Sequence, residues 1–407
     1  MNDMTGFDCF GGVSIRPVIE QDIPWLYEME THPAILQRFR LNGVTPSPRM
    51  YAEFYTRGSS TAYIAFNVDS GQRIGMIYTF GTDANERRTS VGVVAHPEMH
   101  GVGRIYRGLY ILADYLFNHL NIDRIFIQAA EFNITQYSAG NDRRLDLSKL
   151  FEAHAVLRED TYMGGRWWDK YVLSVSKGAF FAHQSTLRSQ VELDYESEKD
   201  RRPILERHGS SAATTLERAG MDANPLETPH ARMRAVKDTD LHWISHLFST
   251  PQNRGSMRLA MLPPIAEVSG ELLEGILWEN ILCQFVVEDR ANEIPLALVS
   301  ASNVVWNNLY LSASVAIVHG MLGDEAIAAA VRKFIDYIFA TFCIRKIYLQ
   351  AREGDDTFEF LKASINGGIV PYLRDEGGWS SGWPPFAGSG TRVSSISRSD
   401  WCGSAEM

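Results

Sequence analysis

The sequence predicts an α/β protein made of two copies of one domain. Three observations lead there. Short runs with strand-like patterning alternate with amphipathic helical stretches. The pattern of the first third of the chain returns after a polar stretch near its middle. The length of 407 residues suits two or three domains at about 100–200 residues each.

Taken in order, Ser14 to Val18 reads as a short strand, Asp22 opens a helix through Met29, and residues 48–57 read as a second helix. Runs rich in β-branched and aromatic residues at 61–67, 74–81 and 87–95 read as strands. The last of these leads into Val91–Phe117, where an apolar run breaks at His96-Pro97 and passes Gly101 and Gly103. It continues with apolar residues at 105, 109, 112, 116 and 117, the spacing of a helix. A strand at 124–130 follows, then a polar loop at 131–147 and a short helix near Ser148 to Ala153. Two strands, 155–163 and 167–176, turn on Gly164-Gly165. From Lys177 to about His230 the chain is polar and charged, the composition of a partly helical connector.

Beyond the connector the first pattern recurs. Residues 15–26 (IRPVIEQDIPWL) match 233–244 (MRAVKDTDLHWI), with Arg16/Arg234, Val18/Val236, Asp22/Asp240 and Trp25/Trp243 as identical pairs. Residues 115–129 (YLFNHLNIDRIFIQA) match 337–351 (YIFATFCIRKIYLQA) at nearly the same spacing. Leu157-Arg158 corresponds to Leu373-Arg374, and LSVS at 173–176 to SSIS at 394–397. The sequence therefore predicts a tandem duplication of a domain of roughly 170–180 residues, with copies at 1–176 and 230–407 joined by 177–229.

Composition narrows the function classes. The chain is 45% hydrophobic and 22% charged, as a globular protein is. No apolar run reaches the roughly 18 residues that a membrane span needs, and the first residues lack the basic flank and apolar core of a signal peptide. A cytoplasmic protein without a membrane partner is the expectation. The four cysteines have no metal-ligand spacing, which predicts neither zinc nor a disulfide framework. A net charge of −10 without basic runs argues against nucleic acid as partner.

Glycines at alternate positions before a helix bring backbone N–H groups close to a ligand, and the helix adds partial positive charge at its N-terminus. That combination makes a phosphate cradle, although ordinary tight turns show the same spacing.

With the strand order in place, the sequence resembles the GNAT superfamily of acyl-CoA-dependent N-acyltransferases, and within it the ribosomal-protein N-terminal acetyltransferase (RimJ/RimL-like) branch. The resemblance is carried by IRPVIEQD at the start, HPEMHGVGRIYRGLYILADYLF around the turn, and FEAHAVLREDTYMGGRWWDKYVLSVSK at the end of the first copy. It implies two tandem GNAT folds, each a mixed, mostly antiparallel central sheet flanked by helices. It also implies acetyl-CoA, or another small acyl-CoA, as cosubstrate without a metal.

The turn of that family, R/Q-x-x-G-x-G/A, maps to HGVGRI, so His100, Gly101, Val102, Gly103, Arg104 and Ile105 are the candidate cofactor-binding residues. His100 replaces the usual Arg or Gln and Ile105 the usual small residue. Asn133 stands where relatives contact the pantetheine arm; a turn Asn is the plainer reading. In the second copy LGDEAI at 322–327 aligns with the turn, and Glu325, preceded by Asp324, replaces the second glycine. A carboxylate at about 4 Å from pyrophosphate costs about 1 kcal/mol in water and about 4 kcal/mol at an effective dielectric near 20. The second copy is therefore expected to be degenerate as a cofactor site.

Amide formation needs a neutral amine and a reprotonated thiolate. The glutamate that relatives carry on the strand before the turn is Ser90 here, and the thiol-protonating tyrosine is Phe151. His96, Glu131 and Tyr137 remain as catalytic candidates. The blander readings are a polar strand end, a solvated loop carboxylate and a surface tyrosine. His96 has a pKa near 6.5 when unperturbed, which suits proton transfer near neutrality. Trp167 and Trp168 alternate across a strand, so at most one faces the core, and Trp379 and Trp383 lie in a glycine-rich hairpin. Glu28, Glu30 and His32 sit where the family sets acceptor specificity.

The resulting expectation is N-acetyl transfer to a primary amine, a peptide N-terminus or an amine-bearing metabolite, by direct transfer in a ternary complex. A non-catalytic acyl-CoA- or peptide-binding protein with a degenerate fold is the alternative. A monomer with an internal pseudo-dimer is the expected assembly.

Overall fold

In the computed structural model the chain is described at residues 7, 9–57, 61–99, 104–134, 150–199, 222, 224–250, 253, 274–275, 277–306, 308–318, 320–352, 356–366, 374–378 and 391–403. It forms two compact units, one of residues 1–29 and 52–223, the other of 30–51 and 224–407. Two departures from the sequence reading are plain. The segment 30–51 belongs to the second unit, and the helix opening the polar connector belongs to the first.

The first unit holds a seven-stranded sheet in the order β1-β2-β3-β4-β5-β7-β6. Its strands are β1 (Val13–Pro17), β2 (Thr61–Asn67), β3 (Arg73–Asp83), β4 (Arg88–Ala95), β5 (Arg124–Ala130), β6 (Glu152–Met163) and β7 (Arg166–Ser176). Helix α1 spans Ile23–Glu30, α2 Pro33–Leu36, α3 Pro48–Arg57, α4 Arg104–His119, α5 Glu131–Ile134 and α6 Lys177–Lys199. Every described strand pair in this sheet is antiparallel except β4 with β5. A parallel pair cannot close through a hairpin and needs a crossover, which α4 supplies.

The predicted strands and the helix at 48–57 stand within a few residues of their expected places. The predicted short helix near 148–153 does not form at its C-terminal end, because β6 begins at Glu152. Pairing of Glu152 with Ser174 and Ala153 with Leu173 overrides the local helical preference. The His154 ring then sits on a bulge, 2.7 Å from the Ser174 hydroxyl. The turn between β6 and β7 holds Gly164 and Gly165 at φ of 63° and 79°, a region open to glycine.

The core of this unit lies under α4. Leu109, Leu112 and Leu116, three or four residues apart, and the adjacent Phe117 are buried against Ile15, Ile77 and Ile125 of the sheet. Gly108 is needed in this packing, since a Cβ there would lie 2.9 Å from Ile77 and 3.0 Å from Ala65. Helix α6 closes the same layer, with Phe180 5.0 Å from Tyr110 and 5.3 Å from Phe117, centroid to centroid.

The second unit repeats the arrangement with β8 (Ala231–Ala235), β9 (Ile281–Asp289), β10 (Pro295–Val305), β11 (Tyr310–Ile317), β12 (Lys346–Arg352), β13 (Arg374–Gly378) and β14 (Thr391–Ser397). Their order is β13-β14-β12-β11-β10-β9-β8, so each strand has the neighbours of its counterpart. The parallel pair is again the fourth with the fifth, β11 with β12. Among the described residues it also holds helices α7 (Leu241–Ser249), α8 (Glu325–Thr341), α9 (Asp356–Asn366) and α10 (Arg398–Gly403).

The 30–51 segment is built into this second core. Leu36 is fully buried among Phe334, Tyr337 and Ile338. Thr45 exchanges hydrogen bonds with the Gln284 backbone, its Oγ1 accepting from the amide at 2.7 Å and donating to the carbonyl at 3.3 Å. The Tyr337 hydroxyl donates to the Gly43 carbonyl at 2.8 Å. Gly43 sits at φ of 87°, and a Cβ there would lie 2.3 Å from Thr341 Cγ2.

Candidate active site

Pairing between β4 and β5 covers only Arg88 to Ser90 against Arg124 to Phe126. Beyond that point β4, paired with β3 as far as Ala95, and β5, paired with β7 as far as Ala130, are no longer paired with each other, so the sheet forks. The amide of His96 donates to the Ile74 carbonyl on the β3 side at 2.8 Å. By strand alternation the Ala95 N–H and C=O then face the fork. Helix α4 begins at Arg104, so its positive end lies at the C-terminal ends of the parallel pair, where open α/β sheets take ligands.

The sequence candidates gather around this mouth to different degrees. His96 is the first residue after β4, Glu131 the first after β5, and Asn133 lies in α5. Arg104 and Ile105 form the first turn of α4, with the Ile105 side chain buried in the core beneath it. His100, Gly101, Val102, Gly103 and Tyr137 lie outside the described residues, as do Trp379 and Trp383. Glu131 is exposed and Asn133 half-buried.

His96 is held in a stack. Its ring lies 5.8 Å from Trp25 at 14° between planes, and the Arg73 guanidinium is 5.3 Å from the Trp25 centroid. Burial lowers the imidazole pKa from its ordinary value, and the negative charges of Glu98 and Glu28 offset only part of this. His96 is therefore neutral at pH 7 and can accept a proton. His96, Trp25, Arg73 and Glu98, with Arg16, Phe66 and Gln72, line an open depression of about 580 Å³.

Beneath it lies an ion cluster. Arg16 makes a bidentate pair with Asp22 at 2.6 and 2.8 Å, and Arg73 reaches the same carboxylate at 3.0 Å. Burial alone would raise the Asp22 pKa, but hydrogen bonds from Arg16 and the Ile19 amide, with the charges of both arginines, hold it below the ordinary value. The recurrence of Arg16 and Asp22 in the second copy was the sequence signal for this pair. Nothing comparable marked Arg73.

Other candidates are placed differently. Glu30 is fully buried, bound by Arg40 at 2.6 and 2.7 Å and by the Tyr51 hydroxyl at 2.8 Å, so it is engaged within the protein. His32 caps α2, its Nδ1 accepting from the Ala34 amide. Glu28 is exposed. Trp168 is buried and Trp167 exposed, as the alternation predicts.

In the second unit the matching places are filled. Pairing of β11 with β12 ends at Ala313 and Leu349. The buried Asn253 amide donates to the Ile317 carbonyl at 2.9 Å and accepts from its N–H at 3.2 Å. Val318 N donates to Leu296 on the β10 side, so the Ile317 groups face this fork. At the N-terminus of α8, Asp324 accepts from the amides of Ala326 at 2.7 Å and Ile327 at 3.3 Å.

Comparison with known proteins bears on the amino-terminal part of the chain. Residues 13–137 match the acetyltransferase (GNAT) domain. The match spans β1 to the mouth of the fork, and the mixed sheets flanked by helices are consistent with the GNAT fold. It supports acyl-CoA-dependent N-acetyltransferase activity. No curated protein matches the chain in sequence. Among solved structures, spermidine N-acetyltransferase from Vibrio cholerae in complex with CoA and spermine is 15% identical, over 42% of this chain and 98% of that one, with a TM-score of 0.36. Mutant forms of the same enzyme match at 16% identity over 42% and 98%, with a TM-score of 0.37. Scores this low support no reading of the acceptor.

Proposed function

We propose that the first unit binds acetyl-CoA or a related small acyl-CoA at the β4/β5 fork and acylates a primary amine by direct transfer. The fork, opening beside the N-terminus of α4 within the matched domain, carries this reading. The fork-facing edge of β4 would hold the amide-rich arm in the manner of an added strand, with Asn133 beside it. The first turn of α4 and the Arg104 guanidinium would face the phosphates. The thioester supplies an electrophilic carbonyl; orientation against the amine supplies much of the acceleration. His96, neutral at pH 7 at the end of β4, is the proposed acceptor of the amine proton, directly or through water. An α-amine, with a pKa of about 7.7–8.0, has a substantial neutral fraction at neutral pH, which makes a peptide N-terminus or an amine-bearing metabolite the favoured acceptor class.

The second unit is proposed to be a degenerate copy from a tandem duplication. Asp324 occupies the helix amides that a phosphate would take, and Asn253 occupies the strand groups that the arm would take. Titrating acetyl-CoA calorimetrically into the full chain and into Gly103→Glu, which copies Glu325, tests both halves. One site per chain, lost in the variant, is expected. Two sites would overturn the degeneracy of the second unit, and no binding would overturn the proposal as a whole.

A further inference from the structure

An apolar cavity of about 70 Å³ opens under the fork on the α4 side of the sheet. Its position is informative. Val91 and Ile127, the first residues of β4 and β5 beyond their last paired residues, both line it. Ala113 of α4, Phe180 of α6 and the Leu150-Phe151 segment before β6 form the rest of the wall relevant here. The charged group on its lining, Arg107, directs its guanidinium to the Gly11 carbonyl at 2.7 Å.

We infer that this cavity receives the tail of an acyl group longer than acetyl, so that the enzyme prefers a butyryl- or pentanoyl-type thioester. The inference rests on acyl-CoA binding at the fork. Cavities of about 150 Å³ with such walls take benzene, so the space here matches roughly three carbon atoms beyond the acetyl methyl. Phe151 adds an apolar ring to the wall. In the reaction the thioester C–S bond breaks as the C–N bond forms. Sulfur leaves as thiolate and takes a proton, the amine proton passes to a base or water, and the tail remains in the cavity unchanged.

The test is calorimetric binding of free CoA and of acetyl-, butyryl-, pentanoyl- and octanoyl-CoA to the full chain without acceptor. Each methylene that enters the cavity tightens binding about fourfold, so butyryl-CoA is expected to bind about fifteenfold more tightly than acetyl-CoA. Octanoyl-CoA is expected to bind no more tightly than pentanoyl-CoA, since the cavity is then full. Ala113→Leu, which fills the space, should abolish the gain while leaving acetyl-CoA affinity within about twofold, with an unchanged or raised melting temperature. Leu150→Ala, which enlarges it, should move the optimum to a longer chain, and it carries the test if Ala113→Leu does not fold.

Equal affinity for acetyl- and butyryl-CoA in the wild type would overturn the inference while leaving the proposed function standing. Retention of the preference in Ala113→Leu would do the same. Failure of free CoA and of all the thioesters to bind would remove both.

Discussion

Two guanidinium groups, Arg16 and Arg73, share the fully buried carboxylate of Asp22, and the imidazole of His96 is kept neutral by burial above them. Replacing Asp22 by Asn leaves two cations facing one another. We expect a loss of about 3 kcal/mol in urea unfolding, at the lower end for a buried pair because both arginines reach solvent. The pH dependence follows from the lowered Asp22 pKa: its contribution is complete above the unfolded value near 3.8 and is lost as pH falls through the folded value. His96 behaves differently. With a folded pKa below 6.5, it makes the unfolded chain the first to take a proton on acidification. Stability therefore declines from about pH 6.5 until the folded value is passed. In His96→Gln that decline should vanish, and the acidic limb of kcat/KM, expected below pH 6.5 in the wild type, should vanish with it. An unchanged limb would assign proton transfer elsewhere.

At the scale of elements, the parallel pair and its crossover helix do most to position the site. Their existence was legible in the sequence: the strand at 87–95, the glycines, the amphipathic helix and the strand at 124–130 follow one another with clear changes of period. The fork was not legible. Nothing in the composition of 91–95 or 127–130 shows that pairing stops at Ser90 and Phe126, because pairing depends on how neighbouring layers pack. The helix misread at the start of β6 failed for a related reason, with Glu152 and Ala153 following a partner strand over their own preference. The acidic substitutions of the second turn were visible, but sequence presented them as repulsion, whereas the structure shows Asp324 acting as an N-cap. Asp324→Ala should cost about 1 kcal/mol in thermal unfolding of the second unit. Phosphate or CoA affinity should not appear with it, because Asn253 still occupies the strand edge.

At the scale of the whole molecule, the repeat in the sequence foretold two sheets with equivalent neighbours, but it placed the boundary between units in the connector. Residues 30–51 escape that division because Leu36, Gly43 and Thr45 are satisfied by groups of the second unit. Gly43→Val forces a side chain into Thr341 at a positive φ that a β-branched residue avoids. It is expected to destabilise the second unit by 3 kcal/mol or about that, seen as an earlier unfolding transition, although position 43 belongs to the first copy in sequence. A fragment of residues 230–407 lacks this whole segment. It should expose apolar surface to a fluorescent dye and recover helical content on addition of a 30–51 peptide. Independent cooperative folding of that fragment would contradict this account.

The same threading changes what a cut in the connector does. A protease acting between the units would sever the backbone and yet leave the amino-terminal piece moored, through Leu36, Gly43 and Thr45, in the interior of the carboxy-terminal one. The nicked protein would run as two bands under denaturing conditions and as one species under native conditions.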